Sequence, residues 1–201
     1  MTLLIEYQYF GCINYYNALC KYKYIQFEVF ENYQKSSFRN KMELASPQGR
    51  QVLSVPILGG RGIRQPMYNV GIDNRQAWQT NNYKTIVNLY NRSPWFEYYK
   101  DSLYELYQTP VALLTQWNKL CTQWALAKLK VNAILTETAN YTKTNHLPDI
   151  VDYRNNDYAN HETGPIHYLQ VFDQQFGFMP NLSILDLLFC EGPNAVNYFG
   201  K

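Results

Sequence analysis

The feature that most constrains the fold is the strand–helix–strand pattern that opens the chain. Residues 3–9 form an apolar and aromatic run, and a turn follows at Phe10-Gly11-Cys12. Residues 13–22 then place Tyr15, Tyr16, Leu19, Cys20 and Tyr22 at mixed helical spacing, and residues 24–30 are β-branched and aromatic again. Two strands joined through a helix pair in parallel, because the crossover carries the chain back to the edge where the first strand began. A chain of 201 residues is long enough for one substantial core and too short to need two. The prediction is a single α/β domain spanning residues 1–201.

Two further strands are predicted at 41–45 and 51–56, joined by the turn Ser46-Pro47-Gln48-Gly49. They would complete a mixed sheet made largely from the first sixty residues. The rest of the core is predicted to come from helices in the middle and C-terminal parts. Asp73 or Asn74 would cap one helix running to about residue 91, and Pro94 opens a second over 95–107. Pro110 opens a third to about residue 129, with Leu113, Leu114, Trp117, Leu120, Cys121 and Trp124 as its core stripe. Residues 131–136 and 168–172 read as strands, 140–163 as a polar surface loop, and 182–189 as an apolar helix capped by Asn181.

Composition excludes several functions. The net charge is +2 with scattered basic residues, which argues against nucleic acid as a partner. Four cysteines without CxxC spacing read as reduced, buried thiols. The N-terminus has no basic segment before Glu6, and no apolar run approaches the ~20 residues of a membrane span. The expectation is a soluble cytoplasmic protein without membrane insertion. No GxxxxGK[ST], GxGxxG or GxSxG motif is present. His146, His161 and His167, with Asp149, Asp152 and Asp157, lack a metal-ligand spacing. No metal is expected, and the sequence names no cofactor. Nineteen tyrosines suit an aromatic-lined cleft or the edge of a core equally well. Cys12, at a turn before a helix whose dipole would lower its pKa, is the one thiol placed for nucleophilic chemistry.

The chemistry concentrates in Glu31-Asn32-Tyr33-Gln34-Lys35-Ser36-Ser37-Phe38-Arg39-Asn40-Lys41, directly after a predicted strand. A carboxylate, three cations and several amides would be costly to bury unpaired, and loops at strand ends often carry function. Lys35 and Arg39 could face one cleft and hold a phosphate or carboxylate, Arg39 as a planar fork and Lys35 as a point charge. Asn40 would orient an acceptor hydroxyl, and Glu31 is the nearest general base. The glycine-rich segment 59–64, with Arg61 or Arg64, is a candidate lid.

Several stretches carry a resemblance. Tyr9-Phe10-Gly11, the 31–40 stretch, Leu53-Ser54-Val55-Pro56, Trp78 and Tyr90 occur in order. Tyr168-Leu169-Gln170-Val171-Phe172 and Gly177-Phe178-Met179-Pro180-Asn181-Leu182-Ser183-Ile184-Leu185-Asp186-Leu187-Leu188-Phe189 follow. Together they resemble the WbqC-like family of bacterial proteins, although Gly11-Cys12-Ile13 stands where members often carry proline. The resemblance implies a role in surface-glycoconjugate (O-antigen) biosynthesis, where members have been suggested to attach amino acids to sugars. It implies no defined chemistry.

Two readings stay open. One is a small-group transferase, aminoacyl or acyl, acting on a small anionic substrate, with a nucleotidyltransferase-like enzyme as its variant. The other is a non-catalytic ligand-binding or scaffold protein of a glycan assembly pathway. The transferase reading assigns catalysis to Glu31, Lys35, Arg39 and Asn40, and substrate contacts to Tyr9, Tyr15, Gln34, Trp78, Gln170, Asn181 and Asp186. Asp186 sits in an apolar run and needs a partner, for which Arg39 is the candidate. The 35–40 loop and the start of the Asn181 helix would then border one pocket, and Arg39→Ala would cost binding more than stability.

Overall fold

The computed structural model describes residues 1–60, 64–142, 149–154 and 165–200, and in it the opening pattern folds as a parallel unit. The strands are β1 (Thr2–Glu6), β2 (Tyr24–Glu28), β3 (Lys41–Ser46), β4 (Gly49–Ser54), β5 (Ile134–Glu137) and β6 (Ile150–Asp152). The helices are α1 (Ile13–Leu19), α2 (Trp78–Tyr90), α3 (Phe96–Gln108), α4 (Leu114–Lys128), α5 (Asp173–Phe176) and α6 (Ile184–Glu191). β1 pairs with β2 in parallel, Leu3 opposite Ile25, Ile5 opposite Phe27 and Glu6 opposite Glu28. β5 extends the sheet beyond β2, and β6 adds on the other side of β1, both in parallel. Leu3, Leu4 and Ile5 are all buried, the continuous apolar run of a central strand covered on both faces.

The α/β class is as predicted, but the strands divide into two sheets. The order β5-β2-β1-β6 makes one, and β3 with β4 makes a separate antiparallel hairpin. Every strand of the larger sheet therefore points the same way. Its carboxyl edge brings Glu6 beside Glu28 and ends β5 on Glu137. In open parallel sheets this is the edge where ligands are bound.

Several local expectations are corrected, among them the 140–163 loop, within which Ile150–Asp152 form β6. α2 begins at Trp78, after the Asp73 carboxylate has taken the Arg75 N–H at 3.2 Å and closed a turn there. Residues 168–172 form no strand, because Gln170 ties its own amide to Met179, donating from Nε2 to the carbonyl and accepting from the N–H, both at 2.8 Å. α6 is capped by Ser183, whose Oγ accepts the Leu185 N–H. Asn181 instead adopts a positive φ of 55° and gives its side-chain oxygen to the Asn14 N–H at the start of α1, 2.9 Å away. A helix start without a side-chain cap of its own is thereby capped by a residue far along the chain. Arg61 of the expected lid, together with His146, Asp157 and His161, lies outside the described residues.

Many of the tyrosines pack inside with their hydroxyls paired. Tyr9 and Tyr107 share a hydroxyl–hydroxyl bond of 2.6 Å, and Asn82 Nδ2 donates to Tyr9 at 3.2 Å. Tyr9 and Tyr15 are fully buried, and neither lines the cavities bordered by Tyr33, Trp78 and Gln170. Tyr15 donates to the Glu6 carbonyl at 2.8 Å and ties α1 to the end of β1. The cysteines are free thiols. Burial pushes the Cys12 thiol up to about 11, the opposite of the lowering that a reactive thiol at a helix start needs.

Candidate functional site

The loop that leaves β2 is fixed from both sides. The Phe30 N–H returns to the Glu28 carboxylate at 2.8 Å. The Met67 N–H meets the Glu31 carbonyl, and the Tyr33 N–H meets the Gln65 carbonyl. Ser36 takes a positive φ of 60°, and the Ser37 hydroxyl closes the turn on the Gln34 carbonyl at 2.6 Å. That reversal sends Arg39 back beneath the loop. Its Nε donates to Glu31 Oε1 at 3.0 Å, and its Nη2 donates to the same oxygen. Both side chains are buried, 3% and 5% exposed, so Arg39 is a buried ion-pair partner and not a solvent-facing anion fork.

Beneath this pair lies a set of buried carboxylates. The Arg154 side chain is 5% exposed and joins strand ends, donating to Glu28 Oε2 at 2.8 Å and forking onto Asp152. Glu31 is pushed above the usual carboxylate range, first by burial and further by Glu6 and Glu28, against the pull of Arg39. A carboxyl held high next to open space is suited to proton transfer. The sequence reading missed Arg154, whose position after Asp152 becomes informative only once β6 is placed beside β1.

Above the ion pair are two neighbouring cavities that share Tyr33. The larger, about 480 Å³, is lined by Tyr33, Lys35, Ser36, Asn40 and Lys41 on one side, and by residues of 52–57 with Gly60 on the other. Lys41 and Ser54 face each other across the hairpin, which puts both on this wall. Among the described residues Lys35 makes no ion pair. Lys41 is 3.8 Å from Glu43. Asn40 is held by both ends of its amide, accepting from the Tyr33 hydroxyl at 2.8 Å and donating to the Val55 carbonyl at 3.1 Å. The smaller cavity, about 320 Å³, is lined by Phe30, Glu31, Asn32, Tyr33, Gln34 and Tyr141.

The remaining assigned residues lie elsewhere. Trp78 borders a separate cavity at the start of α2, and Gln170 borders another beside Arg92 and Cys190. Asp186 is fully buried and bonded to the Tyr90 hydroxyl at 2.5 Å and to the Tyr168 hydroxyl. It has no bond to Arg39, so the expected Arg39–Asp186 pair is replaced by two separate networks. The C-terminal motif reaches the core as expected, but it meets the turn after β1 and not the Lys35 cavity. Neither Asn181 nor Asp186 lines that cavity.

Fold and site thus define a compact α/β protein with a parallel four-stranded sheet and a separate hairpin. A lysine- and amide-lined cavity opens beside the loop leaving β2. The model of the WbqC-like protein family matches residues 7–170, and the chain belongs to that family. No curated protein and no solved structure matches it. No helix among the described residues is long and apolar enough to cross a membrane.

Proposed function

We propose that this protein is a small-group transferase, aminoacyl or acyl, acting in surface-glycoconjugate biosynthesis, and that the Lys35 cavity holds the anionic part of its substrate. The observation that carries the reading is Lys35 itself, a cation without an ion-pair partner among the described residues, at a cavity that also presents Lys41, Asn40 and Tyr33. An ammonium in that position attracts phosphate or carboxylate as a point charge. Glu31, next door across Tyr33, takes the proton of an acceptor hydroxyl or amine as it attacks the donor carbonyl. A bond forms between acceptor and carbonyl carbon, the bond to the donor's leaving group breaks, and the proton passes to that leaving group. Arg39 acts through Glu31 as a positioning residue. Asn40 and Tyr33 hold the wall, and each keeps hydrogen-bonding capacity for a ligand.

The test is calorimetric titration with inorganic phosphate, nucleotide sugars and amino-acid carboxylates, comparing wild type with Lys35→Ala. The expected result is an anion whose affinity falls about tenfold or more in the variant, with melting unchanged because the side chain is exposed. Anion binding indifferent to Lys35, or none at all, would overturn the site. Lys35-dependent binding with no transfer to a sugar acceptor would favour the non-catalytic reading.

A further inference from the structure

A further cavity lies outside that site, and its lining is chemically unusual. It has a volume of about 630 Å³ and is bordered by the starts of α2 and α4 and the end of α3. Five amide side chains surround it, Asn74, Gln76, Gln79, Gln108 and Gln116, and none of its described lining residues is ionisable. Two of the five are committed. Asn74 accepts from Trp78 Nε1 at 2.9 Å and donates to the Val111 carbonyl at 2.7 Å, and Gln79 donates to the Thr109 carbonyl at 2.9 Å. The amides of Gln76, Gln108 and Gln116 are exposed and bond to no described residue. Neither α2 nor α4 carries a side-chain cap; the Leu114 N–H of α4 goes to the Val70 carbonyl at 2.9 Å, and the first-turn N–H groups beyond it, with those of α2, face solvent or ligand. Pro110, Val111 and Trp78 supply an apolar floor.

From this lining we infer a second binding site, for an uncharged saccharide. A glutamine amide offers a donor and an acceptor side by side, which matches the paired hydroxyls of a sugar ring. Uncapped helix N–H groups add donors for ring or acetamido oxygens, and the apolar floor suits the C–H face of the ring. The cavity contains no lysine or arginine for a phosphate or carboxylate. The nearby Asp73 and Arg75 neutralise each other through bonds of 2.8 and 2.6 Å. A volume of this size fits the usual range of small-molecule sites. The inference does not rest on the transferase reading, since no residue of the Lys35 cavity takes part.

The experiment is an NMR titration that follows the Trp78 indole N–H. The panel comprises neutral hexoses, N-acetylhexosamines and their disaccharides, with glucuronate and triglycine as controls. The expected result is a shift with at least one neutral sugar. Its dissociation constant should rise about tenfold or more in Gln76→Ala/Gln116→Ala and stay unchanged in Lys35→Ala. Gln108→Ala, on a different helix, gives an independent reading, and both variants should melt like wild type. No response to any neutral sugar, a response to glucuronate or triglycine alone, or affinity indifferent to all three glutamines overturns the proposal. Failure of the transferase reading would instead show as Lys35-independent anion binding.

Discussion

Arg39 illustrates how a residue's chemistry depends on what the chain does around it. In sequence it is a guanidinium in a polar loop, and that suggests a ligand. In the fold, Ser36 turns the loop back at φ 60°, and Asn118 Nδ2 holds the Arg39 carbonyl at 2.7 Å. The guanidinium then has Glu31 as its buried partner. Removing one member of a buried pair strands the other, at a cost of about 3–5 kcal/mol. Arg39→Ala is therefore expected to lose about that much stability in urea unfolding, whereas Lys35→Ala should stay within about 0.5 kcal/mol of wild type. Arg39→Ala melting at the wild-type urea concentration would mean that Glu31 finds another partner. Charge composition made the polar loop legible as a loop. The pairing of Glu31 with Arg39 was not legible, because an eight-residue spacing in irregular backbone has no period from which to read which side chains meet. Lys35 and Asn40 do share a cavity, whereas Tyr9 and Tyr15, candidates for its aromatic walls, are fully buried, and Asn181 and Asp186 spend their polar atoms inside the fold.

Elements here are joined by polar groups buried at their ends. Asp186 on α6 accepts from Tyr90 at the end of α2 and from Tyr168, which Gln170 Nε2 bonds at 3.0 Å. The Tyr90 hydroxyl also accepts the Ala45 N–H of β3 at 3.1 Å. One carboxyl thus ties two helices, the hairpin and the 168–170 segment. Burial pushes Asp186 up to about 6, with the hydrogen bonds of Tyr168, Tyr90 and Gln170 acting the other way. Because the folded form holds this proton more tightly than the unfolded form, the resulting stability is present in full below about pH 4 and is lost as pH rises through about 6. Urea unfolding of wild type and Asp186→Asn at pH 4.5 and 7.5 tests this. The wild type should gain on the variant at the lower pH, and a difference that ignores pH would remove Asp186 as the source. The helices α3 and α4 were legible from apolar spacing, and β1 and β2 from their residue types, but Pro110 misplaced the start of α4, which begins at Leu114. Residues 168–172 misled because a run of aromatic and branched apolar residues looks like a strand, whereas Gln170 bonds the Met179 backbone and Tyr168 bonds the Asp186 carboxylate.

At the scale of the whole molecule, the two ends of the chain meet in one place. The Ile13 N–H bonds the Leu182 carbonyl at 2.9 Å, and the Ile184 N–H bonds the Gly11 carbonyl at 3.0 Å. The Ser183 hydroxyl donates to the Phe10 carbonyl at 2.7 Å. The C-terminal segment therefore finishes the turn from β1 into α1, and it also reaches β3, where the Ser183 N–H bonds the Glu43 carbonyl at 2.8 Å. The family match ends at residue 170, yet Ile184, Leu185, Leu187, Leu188 and Phe189 of α6 are all fully buried. Each such side chain contributes about 1.5–3 kcal/mol. The five together rival the roughly 5–15 kcal/mol that separates a folded domain from its unfolded chain. A chain ended at Gln170 would expose the faces of α1, α3 and α4 that α6 covers, and would leave α1 without the Asn181 oxygen at its start. It is expected to show no cooperative thermal transition and to lose near-ultraviolet dichroism, which the many buried tyrosines should make strong in the intact protein. A cooperative melt within a few degrees of the full chain would mean that the core closes without α6. In that case the C-terminal motif would be serving a surface and not the fold.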